Sequence, residues 1–374
     1  MIAIGLIRED LPRIKLFKGL KPKGEGEDRM SEELSPKERV INALLGKPID
    51  RIPASSVAGC GGTVCVEMQE IAGIYWPEAH RDAEKMAKLA IKAQELSGLD
   101  NVRVPFDFVI EPEALGCTIK FPPHKDSVPM VYEHPYKSPE DLMMPEDITK
   151  LGRIPVLLKA IQLIKKEVGE RVPVSSLVLG PMTLAGELVG VEKLMVWCRR
   201  KPEWVFDLVD FSTEFLIKLA EAECEAGSDI IQVGDPTAGP DLISPDMFRR
   251  FAMPALIKIA KSIPSDKLKV LHICGNATSI VADMARCGYH GISIEESVDI
   301  AKAKPQVGDV KILGNISSKK TLLFGTPNEV KEECRRAIEA GVDLLEPGCG
   351  FAPGTPLANI RAMVEAAKEY GRKR

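Results

Sequence analysis

Short runs of β-branched and other apolar residues alternate with longer amphipathic segments along most of this chain. The short runs are typical of buried strands, and the segments between them have the periodicity of helices with one apolar face. The predicted strands are residues 52–57, 101–106, 173–179, 229–234, 269–274, 291–295, 311–316 and 343–346. The predicted helices include residues 82–97, 156–168, 202–226, 245–262, 279–287, 327–340 and 356–371.

Strands that alternate with helices predict a parallel sheet, because each helix carries the chain back to the starting edge. Two predicted helices end in a glycine, Gly227 and Gly341, and a strand follows at once, as is typical of helix–strand junctions. Eight predicted strands match the number that closes a (β/α)₈ barrel. An open doubly wound sheet is the main alternative, but no Gly-x-Gly-x-x-Gly turn follows the first strand. We therefore predict an α/β protein with a (β/α)₈ TIM barrel.

Two segments lie outside the alternation. Residues 1–29 include a charged, glycine-bearing stretch and are predicted to be a flexible or peripheral N-terminal extension. Residues 107–155 form a proline-rich, irregular insertion after the second strand. Between them, Ser35, Pro36 and Glu38 have the pattern of a helix start. Residues 30–374 are thus expected to be one catalytic barrel domain.

Composition narrows the possible partners and location. The 374 residues carry a net charge of −4, so there is no basic surplus to favour nucleic acid. We find no apolar run long enough for a membrane span, and the N-terminus is charged too early for a secretory signal. The nine cysteines have no close-set framework, which indicates reduced thiols and a cytoplasmic location.

Candidate chemistry is concentrated where the predicted strands end, which is where barrel enzymes carry their active sites. His272 and Cys274 share one face of a strand, because side chains alternate along it. Cys349 follows the last strand. Imidazole and thiolate groups are zinc ligands, so these three residues together predict a metal site. Each alone has a plainer explanation in core or loop packing, and packing is also favoured for Cys60 and Cys65 in the loop after the first strand.

Three protein ligands leave a fourth position open, which is the arrangement of a catalytic zinc site. A zinc with two thiolates carries little net positive charge, so it suits the binding of a further thiolate better than hydrolysis. This ligand set favours alkyl transfer to a thiol. Glu295 is a candidate for the fourth position or for accepting the thiol proton, and a capping role is equally consistent with its position.

The segments with these residues resemble one known family. They read Leu-His-Ile-Cys-Gly-Asn at 271–276, Gly-Ile-Ser-Ile-Glu-Glu at 291–296, Gly-Asn-Ile-Ser-Ser at 314–318 and Pro-Gly-Cys-Gly-Phe-Ala-Pro at 347–353. From about Met30 to its C-terminus the chain resembles the methylcobamide:coenzyme M methyltransferases of methanogens, in the uroporphyrinogen decarboxylase superfamily.

The resemblance implies a barrel of the uroporphyrinogen decarboxylase type with Zn²⁺ held by His272, Cys274 and Cys349. It implies transfer of a methyl group from a methyl-Co(III) corrinoid to the thiol of coenzyme M, giving methyl-coenzyme M and Co(I) corrinoid. The chain has no Asp-x-His-x-x-Gly pattern of a cobamide carrier, so a partner corrinoid protein is expected to dock at the barrel mouth.

Other polar residues at the strand ends complete the candidate site. Asp235 and Glu295 are candidate catalytic residues, and Asn315 and Ser317 are candidate binding residues. A helix N-terminus beginning at Ser317 would suit the sulfonate of coenzyme M.

Three rival functions are a uroporphyrinogen decarboxylase-like lyase, a methyltransferase with another thiol or a folate as acceptor, and a corrinoid or zinc chaperone. The lyase needs cations near the first strand to hold substrate carboxylates, and only Arg51 precedes that strand.

Overall fold

The computed structural model describes residues 34–372, and the predicted extension at residues 1–29 lies outside the described residues. Within the described part, the α-helices are α1 (Pro36–Leu44), α2 (Val66–Ala72), α3 (Ala83–Ser97), α4 (Ile110–Ala114), α5 (Ile154–Val168), α6 (Pro181–Val189), α7 (Val191–Arg200), α8 (Pro202–Ala226), α9 (Pro245–Met247), α10 (Met253–Ser262), α11 (Val281–Ala285), α12 (Ile300–Val307), α13 (Pro327–Glu339) and α14 (Leu357–Tyr370). The strands are β1 (Val102–Val104), β2 (Thr118–Lys120), β3 (Met130–Glu133), β4 (Val174–Leu179), β5 (Ile230–Gly234), β6 (Leu268–His272), β7 (Gly291–Ile294), β8 (Lys311–Ile316) and β9 (Leu344–Pro347).

Seven of these strands form one parallel sheet in the order β1-β4-β5-β6-β7-β8-β9. Each strand in this order pairs in parallel with the next one. Each of the seven coincides with one of the predicted strands, although β1 is shorter than expected. Because all strands run the same way, their C-terminal ends meet at one end of the sheet, which we call the mouth.

The first predicted strand, residues 52–57, closes the sheet into a ring without forming a regular strand. Ala54 makes a single parallel bridge to Leu345 of β9, with the Ser55 amide 3.0 Å from the Leu345 carbonyl oxygen. On the other side, the Asp100 amide donates to the Ala54 carbonyl oxygen over 2.8 Å. Pro53 has no N–H to extend a ladder. The segment therefore takes the eighth position through isolated hydrogen bonds, and the predicted (β/α)₈ barrel of the uroporphyrinogen decarboxylase type is confirmed.

Buried ion pairs fix this closing segment at its start. Asp100 is 1% exposed. It accepts hydrogen bonds from Arg39 Nη1 of α1 and from Arg51 Nη1, each over 2.8 Å, and from the Ala54 amide over 2.9 Å. One carboxylate thus joins α1, the closing segment and the start of β1.

The two ends of the barrel differ. At the end opposite the mouth, α1 packs its apolar residues against the first residues of several strands, including Ile230, Leu268 and Leu344. At the mouth, the predicted insertion after β1 contains α4 and an antiparallel hairpin of β2 and β3 before α5 begins. Among residues 34–372 we find no helix with the length and apolar content needed to span a membrane.

The predicted helix over residues 245–262 is interrupted. A π-helical turn at Phe248–Ala252 separates α9 from α10. Pro254 near the start of α10 has no N–H to bond the preceding turn, and a widened turn accommodates this loss. Helices α2, α6, α7 and α12 are further elements that the predicted set omits.

Candidate metal centre

His272 is the last residue of β6 and its ring is fully buried. Its Nδ1 lies 3.0 Å from the Ser293 hydroxyl oxygen of the neighbouring strand β7. This contact fixes the ring so that Nε2 lies toward the mouth, 3.3 Å from the sulfur of Cys274. β6 ends at His272, two residues before the end of the predicted strand, but the imidazole and the first thiol still lie together as the sequence predicts.

Cys349 lies beside His272 and Cys274 but follows a different strand, β9. It follows β9 by two positions, and its amide donates to the Ser318 hydroxyl over 3.1 Å. Its sulfur lies 3.6 Å from that of Cys274. The structure thus brings the three predicted ligands together at the mouth.

Cys60 supplies a fourth donor, although the sequence favours loop packing for it. Its sulfur lies 3.1 Å from the sulfur of Cys274. The donor atoms of Cys60, His272, Cys274 and Cys349 all lie within 4.8 Å of one another. Ring closure is the signal that identifies Cys60, because in a closed barrel the loop after the first strand is adjacent to the loop after the last. Cys65 is buried and lies outside this group.

The loop that carries Cys60, residues 58–62, is held by a buried cation. Arg103 of β1 is 1% exposed and donates to the carbonyl oxygens of Gly59 and Gly61. A side chain at Gly61 would place its Cβ 2.8 Å from the Cys349 carbonyl oxygen, a distance below van der Waals contact. Only glycine allows the loops of Cys60 and Cys349 to approach this closely.

A buried carboxylate supports the residues that lead into this loop. Glu346 of β9 accepts from the Ser55 hydroxyl over 2.6 Å and from the Val57 and Ala58 amides over 2.8 and 3.2 Å. Burial raises its pKa to about 7, against the opposing effect of these hydrogen bonds and of the charge on Arg103. Arg103 itself stays cationic at neutral pH, since burial lowers its pKa only to about 10.

The thiols of the cluster do not ionise alike. Hydrogen bonds from Cys274 and Cys60, together with the nearby His272, hold the pKa of Cys349 well below its usual range. The hydrogen bond to Cys349 and burial raise the pKa of Cys274 well above its usual range. A first negative charge therefore develops on Cys349, within the electrostatic reach of Arg103.

The four donors fit a tetrahedral soft-metal site. Neighbouring sulfur ligands of zinc lie roughly 3.8 Å apart when Zn–S bonds are about 2.3 Å. The Cys274–Cys349 separation of 3.6 Å is close to this value, whereas the Cys60–Cys274 separation of 3.1 Å is shorter. The Cys60–Cys274 pair is thus the one whose separation has to increase most to complete a tetrahedron.

Glu295 lies beside the cluster and is not one of its four donors. It follows β7 directly and is half-buried. Burial and the neighbouring Cys349 raise its pKa, against a hydrogen bond from the Gly275 backbone. Glu295 therefore binds a proton more readily than an exposed glutamate does, and its catalytic role stays a prediction.

The other predicted site residues are engaged in the scaffold. Asp235 is buried at the end of β5 and accepts from the Thr183 amide and hydroxyl at the start of α6, over 2.8 and 2.7 Å. Asn315 donates to the Val298 carbonyl oxygen over 2.9 Å. These contacts give Asp235 a capping role and leave its catalytic role a prediction.

Ser317 also has partners on both its backbone and its side chain. Its amide donates to Glu333 over 2.8 Å, and its hydroxyl donates to Glu296 over 2.8 Å and accepts from the Lys320 amide. The segment that follows is a π-helical turn, Ser318–Leu323. Sulfonate binding at Ser317 stays a prediction, since these contacts occupy the groups on which it depends.

A buried carboxylate near the mouth makes the stability of the fold depend on pH. Glu111 of α4 is 3% exposed, and burial raises its pKa from 4.5 to about 7 despite the hydrogen bond from the Leu179 amide. Between these values the folded protein binds more protons than the unfolded chain, so the free energy of unfolding falls as pH rises. We expect Glu111 to account for a fall of about 2 kcal/mol between roughly pH 5.5 and 7.5.

The isosteric variant Glu111→Gln tests this contribution. It retains an oxygen for the Leu179 amide but has no proton to release, so its stability should depend less on pH than that of the wild type. Urea unfolding of both proteins at the two pH values gives the comparison. Equal changes in the two proteins would show that Glu111 is ionised in the folded state throughout this range.

The closed parallel ring, with imidazole and thiol donors grouped at its mouth, defines a (β/α)₈ barrel enzyme with a metal-type centre. A family model described as uroporphyrinogen decarboxylase (URO-D) matches residues 35–370. The chain belongs to this family.

Three relatives locate the chain within the family. It is 44% identical over 341 residues to methylcobamide:CoM methyltransferase MtaA of Methanosarcina barkeri, covering 90% of this chain and 99% of the relative. It is 38% identical over 343 residues to methylcobamide:CoM methyltransferase MtbA of Methanosarcina acetivorans, with 90% and 99% covered. The solved structure of a methyltransferase from Methanosarcina mazei matches with a TM-score of 0.86 at 43% identity, covering 90% of this chain and 99% of that one. The resemblance inferred from the motifs is confirmed.

Proposed function

We propose that this protein transfers a methyl group from a methyl-Co(III) corrinoid, carried by a partner protein, to the thiol of coenzyme M. The observation that supports this most directly is the group of one imidazole and several thiols at the barrel mouth. The similarity to methylcobamide:CoM methyltransferases supports the same reaction. In this proposal His272, Cys274 and Cys349 hold a zinc ion, because His272 ends β6 and each cysteine lies two residues after a strand.

The donor set favours thiol chemistry over hydrolysis. When bound, zinc would lower the pKa of the acceptor thiol and hold it as a nucleophilic thiolate at neutral pH. Thiolate ligands from the protein cancel the positive charge of the ion, so water is activated less than at an all-histidine site. The protein contributes a fixed imidazole through Ser293, a carboxylate at Glu295 and a buried cation at Arg103.

The reaction balances without a further oxidant or reductant. The acceptor thiol loses its proton, for which Glu295 is the proposed acceptor because burial and Cys349 raise its pKa. The sulfur then forms a bond to the methyl carbon as the carbon–cobalt bond breaks. Both electrons of that bond stay on cobalt, which changes from Co(III) to Co(I), and methyl-coenzyme M leaves.

Exposed apolar side chains around the mouth support docking of a partner protein. They belong to segments that follow strand ends, including the insertion after β1, where Tyr132 lies on β3. Tyr132 and Phe324 are each 65% exposed and Met143 is 81% exposed. The mouth is where a corrinoid would have to meet the thiol, so these side chains are the proposed contacts of its carrier protein.

Replacing Phe324 with glutamate should slow methyl transfer from the corrinoid protein by roughly tenfold, as for a moderate loss of interface energy. Phe324 follows the turn after β8 at the mouth, and a charge there would be desolvated in the complex. Transfer from free methylcobalamin should be unchanged, since it needs no protein interface. Leu45→Glu is the matched control, because Leu45 is 41% exposed at the end of α1, opposite the mouth. Equal effects on the two donors would contradict docking at Phe324.

The function itself is tested by metal analysis and a methyl-transfer assay. We expect about one zinc per chain and formation of Co(I) or its oxidation product Co(II) from methylcobalamin only when coenzyme M is present. The corrinoid absorption spectrum follows the reaction. Absence of zinc, or demethylation that does not depend on the thiol, would refute the proposal.

The lyase alternative finds no support at the first barrel segment. Arg51 is 4% exposed and its guanidinium bonds the Asp100 carboxylate over 2.8 and 3.0 Å. It therefore does not face the mouth as a partner for substrate carboxylates.

A further inference from the structure

We propose that Cys60 is a displaceable fourth ligand of the metal centre. Its thiolate completes the coordination of the ion in the resting enzyme and detaches when the acceptor thiol binds. This inference rests on the proposed function, because it assigns a role to Cys60 at the same site. Cys60 then competes with the acceptor thiol for the metal and so sets the affinity of the centre for that thiol.

The geometry requires such an exchange. Four donors within 4.8 Å of one another fill a tetrahedral ion, and a zinc site with four protein ligands is closed. A thiol acceptor then has no position at the ion until one donor leaves. Four fixed ligands would make the centre structural, which does not agree with its place at an open barrel mouth.

Three of the donors are held in place. The His272 ring is fully buried and bonds Ser293 through its second nitrogen. Cys274 comes two residues after His272, and the intervening Ile273 is fully buried in the core. The Cys349 amide is fixed by the Ser318 hydroxyl. Each of the three is therefore attached to a strand end or to a neighbouring turn.

Cys60 differs because only its neighbours are anchored. Arg103 holds the carbonyl oxygens of Gly59 and Gly61 on either side of it, and the Cys60 side chain is half-buried, as those of Cys274 and Cys349 are. Rotation about the Cα–Cβ bond can therefore move the sulfur without moving the loop. The short Cys60–Cys274 separation of 3.1 Å also means that these two sulfurs must move apart when both bind a metal.

The exchange conserves charge and protons. As the acceptor thiol replaces Cys60, its proton passes by way of Glu295 to the departing Cys60 thiolate, which becomes a neutral thiol. The centre keeps one imidazole and three thiolates before and after the exchange. No net charge is added to a mostly buried site, which avoids the cost of burying an unpaired ion.

The test uses the Co²⁺-substituted protein and 2-mercaptoethanesulfonate, without any corrinoid. In the wild type we expect three cobalt–thiolate bonds, counted by X-ray absorption and by charge-transfer intensity, both before and after the thiol is added. Thiol binding should release close to zero protons, measured by calorimetry in buffers of different ionisation enthalpy. Both measurements are made on the wild type, so they do not require a variant to fold.

Cys60→Ala should keep the metal, and its centre should differ before and after the thiol is added. It should show two cobalt–thiolate bonds, and three once the thiol is added. It should also release about one proton per thiol, because Glu295 then passes the proton to solvent and no departing ligand keeps it. If Cys60 is bound for nine-tenths of the time, its removal tightens thiol binding about tenfold. Cys65→Ala is the matched control, because Cys65 is buried in the same stretch and lies outside the cluster, so it should behave as the wild type.

Two results would overturn the inference. Loss of metal from Cys60→Ala would make Cys60 a permanent ligand, and bond and proton counts equal to those of the wild type would show that it is no ligand. A failure of the proposed function would appear differently, as missing zinc in the wild type or as missing methyl transfer. The bond and proton counts on the Co²⁺-substituted protein measure neither of these.

Discussion

Cys349→Ala is expected to lose both its zinc and its methyl-transfer activity. Cys349 is the thiol in the cluster with the lowest pKa, so it is the first anionic ligand that a cation meets. Its removal leaves His272 and Cys274 as the fixed donors, and Cys60 on a loop. Since even the loss of a supporting contact lowers metal affinity roughly 10–100-fold, loss of this ligand should reduce the affinity for zinc by about two orders of magnitude or more.

Zinc content after gel filtration and the thiol-dependent demethylation of methylcobalamin provide the two measurements. Cys334→Ala is the matched control, because Cys334 is fully buried in α13 and lies outside the cluster. That variant should keep its metal and its activity, even if packing in α13 is weakened. Full zinc occupancy in Cys349→Ala would show that the ion is held elsewhere and that the proposed ligand set is wrong.

The prediction for Cys349 also differs from that for Cys60. Both thiols belong to the same cluster, yet we expect metal loss from Cys349→Ala and metal retention in Cys60→Ala. Cys349 lies on a short segment after β9 whose amide is fixed by Ser318. Cys60 lies between two glycines on a loop. The difference between the variants therefore reports backbone constraint and not the chemical type of the ligand.

The sequence predicts those parts of the site that depend on local rules. His272 and Cys274 are placed on one face by strand alternation, and Cys349 by its position after the last strand. Cys60 could not be assigned in this way, because its closeness to Cys274 depends on closure of the ring by residues that are far apart in sequence. The same closure explains why the first predicted strand is irregular. There Pro53 has no N–H for regular pairing, and the side chain of Asp100 bonds the segment instead.

Polar residues after the other strands show a second limit of sequence reasoning. Asp235 and Ser317 follow strand ends as catalytic residues do, but in the structure they accept hydrogen bonds from the backbone of the next turn. A carboxylate or hydroxyl at this position can cap a helix as readily as it can contact a substrate. Distances decide between these roles, and the sequence pattern does not contain them.

The charged residues beneath the mouth link the fold to the site. Arg103 and Glu346 are buried inside the barrel. Arg103 donates to the Gly59 carbonyl oxygen next to Cys60, and Glu346 accepts from the Val57 amide earlier in the same segment. They are oppositely charged when both are ionised, and the charge of Arg103 lowers the pKa of Glu346. The position of Cys60 is thus set by interior polar contacts, whereas His272 is set by a strand.

Asp100→Ala is expected to destabilise the whole barrel. Asp100 is the shared partner of the buried guanidinium groups of Arg39 and Arg51, and removal of one partner from a buried ion pair costs about 3–5 kcal/mol. Arg39 retains a second partner in Asp50, over 2.8 Å, so the estimate lies toward the lower part of this range. Urea unfolding followed by circular dichroism measures the change in the free energy of unfolding.

Glu84→Ala provides the control, because Glu84 pairs with Lys88 where both side chains are well exposed, and exposed pairs contribute little. A loss near zero in Asp100→Ala would mean that water reaches the two arginines in the variant. We expect folded Asp100→Ala to retain zinc, because Arg103 and Glu346 still hold the residues around Cys60 and the other three donors lie at or after the ends of β6 and β9.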